Sequence, residues 1–140
     1  MAHFTAYSKQ TQGNIGVSLR GQCADAAAAL QLEAAIKAAT TNGKAIVWID
    51  CQRLEPMTWQ GQRAILNADC FARTTGVVLQ WCGMPEAVLE QLAASGLSML
   101  LHLQPAAHYQ GPRELLQDTL PLSTNPKFPQ MYECASADSG

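Results

Sequence analysis

Residues 43–68 read GKAIVWIDCQRLEPMTWQGQRAILNA, and the order of events along that stretch decides the fold. Its first part, KAIVWID at 44–50, is apolar without alternation, the pattern of a central strand covered on both faces and too short for a buried helix. Its last part begins a different period. Ala64, Ile65, Ala68, Phe71 and Ala72 recur at three- and four-residue steps, predicting a helix over 58–75 that Gly76 closes. Between the two lies a corner in which Pro56 sets a turn and Gly61 permits close approach where the helix starts. A buried strand feeding a helix through a short corner is the repeating unit of an α/β sheet.

Reading outward repeats the unit. Downstream, VVLQWC at 77–82 is a second buried strand, and Gly83 followed by Pro85 announces a helix with proline in its first turn. Val88, Leu89 and Leu92 are expected on its inner face, with Ser95 and Gly96 at its end. A short strand is expected at 97–103, LSMLLHL, and Gly111, Pro112, Leu115, Leu116 and Leu120 indicate a last helix.

Upstream, 4–9 and 14–20 read as two strands joined at Gln12, Gly13 and Asn14. In the second, Ile15, Val17 and Leu19 alternate with Gly16, Ser18 and Arg20, so one face is buried. An alanine-rich helix follows over 25–39. Asp25 suits its start, the face Ala28, Ala29, Leu32, Ala35, Ile36 and Ala39 is apolar, and Asn42 with Gly43 ends it.

The sum is an α/β domain over 1–120, a mixed sheet of about five strands packed against about four helices. The remainder, 121–140, carries three prolines and no periodicity and reads as a C-terminal tail, with Phe128, Met131 and Tyr132 as residues that could drape it on the domain. No internal repeat occurs.

Composition narrows the function classes. The 140 residues are 48% hydrophobic, enough for one core without staples, and the formal net charge is −2. Lysine and arginine are scattered singly, so no basic stripe exists to neutralise phosphates, and nucleic acid is not an expected partner. The N-terminus lacks a charged segment followed by an apolar one, and no apolar run is long enough to span a bilayer; a soluble, cytoplasmic protein without membrane insertion is expected.

Cys23, Cys51, Cys70, Cys82 and Cys134 are odd in number and form no C-x-x-C pair, which predicts buried or half-buried free thiols. His3, His102 and His108 lack metal-ligand spacing, so no metal or cofactor is expected. The glycine-rich motifs of nucleotide sites and the G-x-S-x-G nucleophile motif are absent, which leaves enzymatic activity without a named carrier and no catalytic residue to assign. Asp50, at the end of the KAIVWID strand, is either a functional carboxylate or a solvated or hydrogen-bonded strand end.

From residue 15 to about 116 the order of elements resembles a STAS domain, the module of bacterial anti-sigma factor antagonists that also occurs at the C-terminus of sulfate transporters. Residues 43–68 are similar to the family's strand, the loop ending in Asp-Ser-Ser-Gly and the helix after it. Residues 76–103, GVVLQWCGMPEAVLEQLAASGLSMLLHL, are similar to its next strand, glycine-bearing turn, helix and final strand. The ungapped distance from Asp50 to Gly61 and the pair Gly96-Leu97 match the family's pattern.

The resemblance implies a regulatory, non-enzymatic module that binds an anti-sigma factor, a kinase-like protein or another regulator. It places Asp50 at the aspartate of the central strand and Gly61 at the glycine that opens the helix. Gln60 then stands where the family has its phosphorylated serine, Trp59 at the preceding serine and Thr58 at the usual aspartate. A phosphate adds about −1.5 to −2 charges and three acceptor oxygens, and an amide can neither receive nor imitate it. Thr58 keeps a hydroxyl and is either a helix cap or a relocated phosphoacceptor.

The expected partner surface is therefore the corner of Pro56, Met57, Thr58, Trp59, Gln60, Gly61 and Arg63. Within it, Trp59 is either an interface anchor or folded back over Met57, Pro56 or the tail. The alternative implied by relatives is an apolar hollow that senses a nucleotide or lipid-like ligand, and the alanine-rich helix or the hairpin edge could form a homodimer.

Overall fold

A computed structural model describes residues 3–118. The expected tail at 121–140, Leu120 and Cys134 lie outside the described residues. The fold class is as expected: a five-stranded mixed sheet in the order β1-β2-β3-β4-β5 with three α-helices.

Strands β1 (Phe4–Gln10) and β2 (Ile15–Gly21) form the antiparallel hairpin. β2, β3 (Ile46–Leu54), β4 (Val78–Cys82) and β5 (His102–Gln104) then run parallel, each paired with the next. The crossovers are α1 (Ala26–Thr40), α2 (Trp59–Thr74) and α3 (Glu86–Ser95). Each of the three helices links two neighbouring parallel strands, and all three pack into one core on the same face of the sheet.

That face holds the core. Val17 and Leu19 of β2, Val47 and Ile49 of β3, and Leu79 and Trp81 of β4 meet Leu32 and Ile36 of α1, Ala64, Ile65 and Ala68 of α2, and Val88 and Leu92 of α3. At about 25 cal/mol per Å2 of apolar area removed from water, the valine, leucine and isoleucine side chains among them contribute roughly 1.5–3 kcal/mol each. Asp25 caps α1 as expected, accepting from the Ala28 N–H at 2.8 Å.

Several boundaries differ from expectation, each for a local reason. β3 does not end at Asp50 but runs to Leu54, because a bulge lets Cys51 and Gln52 oppose the single residue Leu19 before pairing resumes at Arg20 and Arg53. The expected strand over 97–103 is mostly a 3-10 turn, Leu97–Met99, with only His102–Gln104 extended. Gly96 ends α3 in the left-handed region, and the turn buries Leu97 while leaving Met99 88% exposed.

The expected last helix is a single 3-10 turn, Arg113–Leu116, so α-helices number three among the described residues. Leu89, expected on the inner face of α3, is exposed, and Cys70 is an exposed thiol whereas Cys23, Cys51 and Cys82 are buried.

The second face of the sheet carries the alternate residues: Gly16, Ser18 and Arg20 of β2 and Trp48, Asp50 and Gln52 of β3. No helix covers it. Residues 105–118 cross it instead, and the cover expected for KAIVWID on both sides is only partial: Asp50 is buried and Trp48 half-buried on this face, but Ile46 is exposed.

Candidate functional site

The corner between β3 and α2 is built on a floor supplied by the end of β2. The Glu55 N–H donates to Gly21 O at 2.9 Å, holding the start of the loop against that strand. One turn later, α2 comes so close to the chain leaving β2 that a Cβ at Gly61 would sit 2.4 Å from Cys23 O and 2.7 Å from Met57 Cβ. Only glycine fits there, and Gly61 is buried.

Met57 is buried as well, 4% exposed, so it is a plug beneath the corner and not part of its outer surface as expected. Its backbone is held from the side: the Met57 N–H donates to Gln91 Oε1 at 2.8 Å, and Gln91 Nε2 donates to Met57 O at 2.7 Å. One amide of α3 thus satisfies both backbone groups of the loop residue.

Above this floor, Pro56, Trp59 and Arg63 are exposed, and Thr58 and Gln60 are half-buried. Trp59 is the first residue of α2 and is 65% exposed, so it is not folded back over Met57 or Pro56. Thr58 occupies the capping position, but its hydroxyl donates to Gln60 Oε1 at 2.7 Å and caps no backbone N–H. The cap expected for Thr58 is replaced by a side-chain pair that ties residues 58 and 60 together.

Asp50 is not at the corner. It lies inside β3, 1% exposed, where Ser18 Oγ donates to Oδ2 at 2.8 Å and Gln52 donates to Oδ1 from its backbone N–H at 3.3 Å and from Nε2 at 3.2 Å. Ser18 Oγ in turn accepts from Arg20 Nε at 3.0 Å. The carboxylate is hydrogen-bonded on both oxygens, as a buried charge must be, and it ties β2 to β3.

Sequence reasoning missed Asp69, a buried carboxylate of α2 that accepts from Trp81 Nε1 at 3.1 Å. Arg73 Nη2 lies 2.7 Å from its other oxygen as an ion pair, though not in hydrogen-bond alignment. Asp69 falls off the apolar period of α2, and nothing local marks its distant indole partner. Gln91 was missed for the same reason.

Among the described residues no group of three His, Cys, Asp or Glu side chains converges to hold a metal. None of the helices described is long and apolar enough to cross a membrane.

The architecture recurs in solved structures. The anti-sigma factor antagonist SpoIIAA in its unphosphorylated form superposes with a TM-score of 0.59 at 19% identity, over 76% of this chain and 90% of that one. An anti-sigma factor antagonist from Mycobacterium paratuberculosis gives a TM-score of 0.61 at 19% identity, over 81% of this chain and 92% of that one.

The chain has the STAS fold.

No protein-family model matches the sequence, and no curated protein matches it either. The sheet order and the crossovers therefore carry the likeness. Within the STAS fold, the corner lies at the end of the central strand, where α2 begins. A cleft of about 520 Å3 opens by β4 and β5, lined by Trp81, Met84, Leu89, Leu103, Gln104 and Pro105.

Proposed function

We propose that the chain is a non-enzymatic regulatory module that docks a protein partner, of anti-sigma-factor, kinase-like or related regulatory type, through the corner of Pro56, Thr58, Trp59, Gln60 and Arg63. Met57 and Gly61 shape that corner from beneath. The observation that supports this reading best is Trp59: a large amphipathic side chain held 65% exposed on the first residue of α2, over a floor fixed by Gln91 and Gly61. Tryptophan is over-represented among residues whose truncation costs 2 kcal/mol or more at interfaces.

Docking here is governed by shape. Residue 60 is a neutral amide, and the remaining hydroxyl of the corner, Thr58, is engaged with it. Photo-crosslinking from position 63 in the source organism, followed by phosphosite mapping of the recovered chain, tests both statements. The wild type is expected to yield a discrete partner that Trp59→Ala loses, with Thr58 unmodified. Equal recovery with Trp59→Ala removes this surface from consideration, and stoichiometric phosphate on Thr58 replaces the shape reading with a relocated switch.

The cleft beside β4 supports a second reading, a sensor of a small apolar ligand. Its volume of about 520 Å3 is within the range of ligand sites, and its lining is mostly apolar with Gln104 as a polar group. Native mass spectrometry of the gently purified protein distinguishes the two: a retained small-molecule adduct supports the sensor, and a bare chain mass opposes it.

A further inference from the structure

Residues 105–118 cross the second face of the sheet without joining it. Their backbone hydrogen bonds are internal, His108 to Pro105, Tyr109 to Ala106, Leu115 to Pro112 and Gln117 to Glu114, so no backbone pairing ties them to a strand. Side chains hold them instead: Asn14 Nδ2, in the turn before β2, donates to Gln110 O, Lys9 of β1 lies 3.8 Å from the Glu114 carboxylate, and the densest set comes from β2 and β3. Arg20 donates from Nη1 to Asp118 O at 2.9 Å and from Nη2 to Leu115 O at 2.8 Å and Gln117 O at 2.6 Å. Arg53 Nη2 donates to Leu116 O at 3.2 Å and meets the Asp118 carboxylate.

Four consecutive carbonyls are thus collected by two guanidiniums that sit at paired register positions, Arg20 opposite Arg53. These two like charges repel across the pair, and burial together with Arg53 already lowers the pKa of Arg20. The oxygens of 115–118 offset that repulsion. Nearer the middle, the Tyr109 ring meets Trp48 edge-on at 6.5 Å between centroids, and its hydroxyl donates to Pro112 O at 2.9 Å. A Cβ at Gly16 would come within 2.8 Å of that hydroxyl, so the sheet surface beneath is shaped to receive the ring.

We infer that 105–118 is a strap that opens as a unit of its own, with Arg20 and Arg53 as its clasp. Opening needs no ladder bond of the sheet to break, because only side-chain contacts attach the strap. It uncovers Trp48 and the Ser18–Asp50 pair beneath. The core on the helix face is untouched, and so is the corner of Pro56 to Arg63, so this device stands or falls separately from the docking surface.

Amide hydrogen exchange of the full chain, followed by mass spectrometry, tests it. In the wild type, amides of 109–118 are expected to exchange faster than those of β3, and by an opening that low denaturant does not accelerate. Arg53→Gln removes the contacts to Leu116 O and to the Asp118 carboxylate while preserving shape. It is expected to speed exchange at 113–118 by about 5- to 30-fold and to leave β3 unchanged.

Asp118→Asn, which alters the charge at an exposed residue and so cannot prevent folding, is expected to change the same peptide in the same direction by less. Unchanged exchange at 113–118 in both variants overturns the clasp. Exchange of 113–118 and β3 that rises together shows one cooperative unit and overturns the strap.

Discussion

At the corner, two adjacent kinds of residue do opposite work, and substitution separates them. Gly61 is structural: a methyl group there collides with Cys23 O and with the Met57 side chain, one a backbone atom that cannot step aside. Gly61→Ala is expected to destabilise by about 1–3 kcal/mol, the usual cost of overpacking, read as a lower urea midpoint at unchanged slope. Trp59 touches no such constraint. Trp59→Ala is expected to stay within about 0.5 kcal/mol of the wild type in the same titration. A large stability loss for Trp59→Ala means that the indole is part of the fold and not a surface offered to a partner. Gln60 was legible as an amide at a position where the resemblance implies a serine, but its pairing with Thr58 was not, because a hydroxyl before a helix ordinarily signals a cap.

Among the elements, α2 is the hub, since it opens at the corner and also carries the carboxylate that fixes it to β4. Asp69 accepts the indole N–H of Trp81, a fully buried side chain, at 3.1 Å. Asp69→Ala is expected to cost about 1–3 kcal/mol by leaving that donor without a partner. Arg73→Ala is expected to cost less than about 1 kcal/mol, because its guanidinium is half in water. Urea titrations of both variants check the ranking, and equal costs would mean that the ion pair, not the indole bond, holds α2 to β4. The existence and order of β1 to β4 and α1 to α3 were legible from different signals: α1 and α2 from an apolar period near 3.6, β2 from its alternation, and β3 and β4 as short apolar runs without alternation, bounded by turn residues. What failed were short or tertiary features. LSMLLHL reads as a strand because leucines dominate it, yet Gly96 forces a turn first and leaves only His102–Gln104 extended. The leucines after Pro112 read as a helix, yet two arginines from distant strands take up the carbonyls of 115–118 and stop it at one turn. Asp50 reads as a strand end because the bulge that extends β3 is set by pairing with β2, which no local pattern records.

Across the whole molecule, the free thiols and one tyrosine make stability sensitive to alkali. Burial pushes Cys23 up from 9.0 to about 11, with Asp25 and Glu33 adding to the effect. Cys82 is likewise pushed up to about 11 by burial and then by Asp50, and Cys51, between the sheet and the helices, is held well above its ordinary 9.0. Burial raises Tyr109 above 10.0 as well, with Asp50 contributing. In each case the folded chain retains a proton that the unfolded chain gives up sooner. The stabilisation is therefore fully present below the unfolded value of about 9 and is lost as pH rises towards the folded value of about 11. The urea midpoint is expected to stay level from neutrality to about pH 9 and to fall steadily beyond it, with Cys82→Ala falling less steeply than the wild type. The same burial predicts which thiols react: alkylation of the native protein at neutral pH, read by peptide mass spectrometry, should modify Cys70 and spare Cys23, Cys51 and Cys82. Rapid labelling of Cys51 under native conditions would mean that the sheet and helices part locally, and would tie the alkaline loss to that opening instead of to global unfolding.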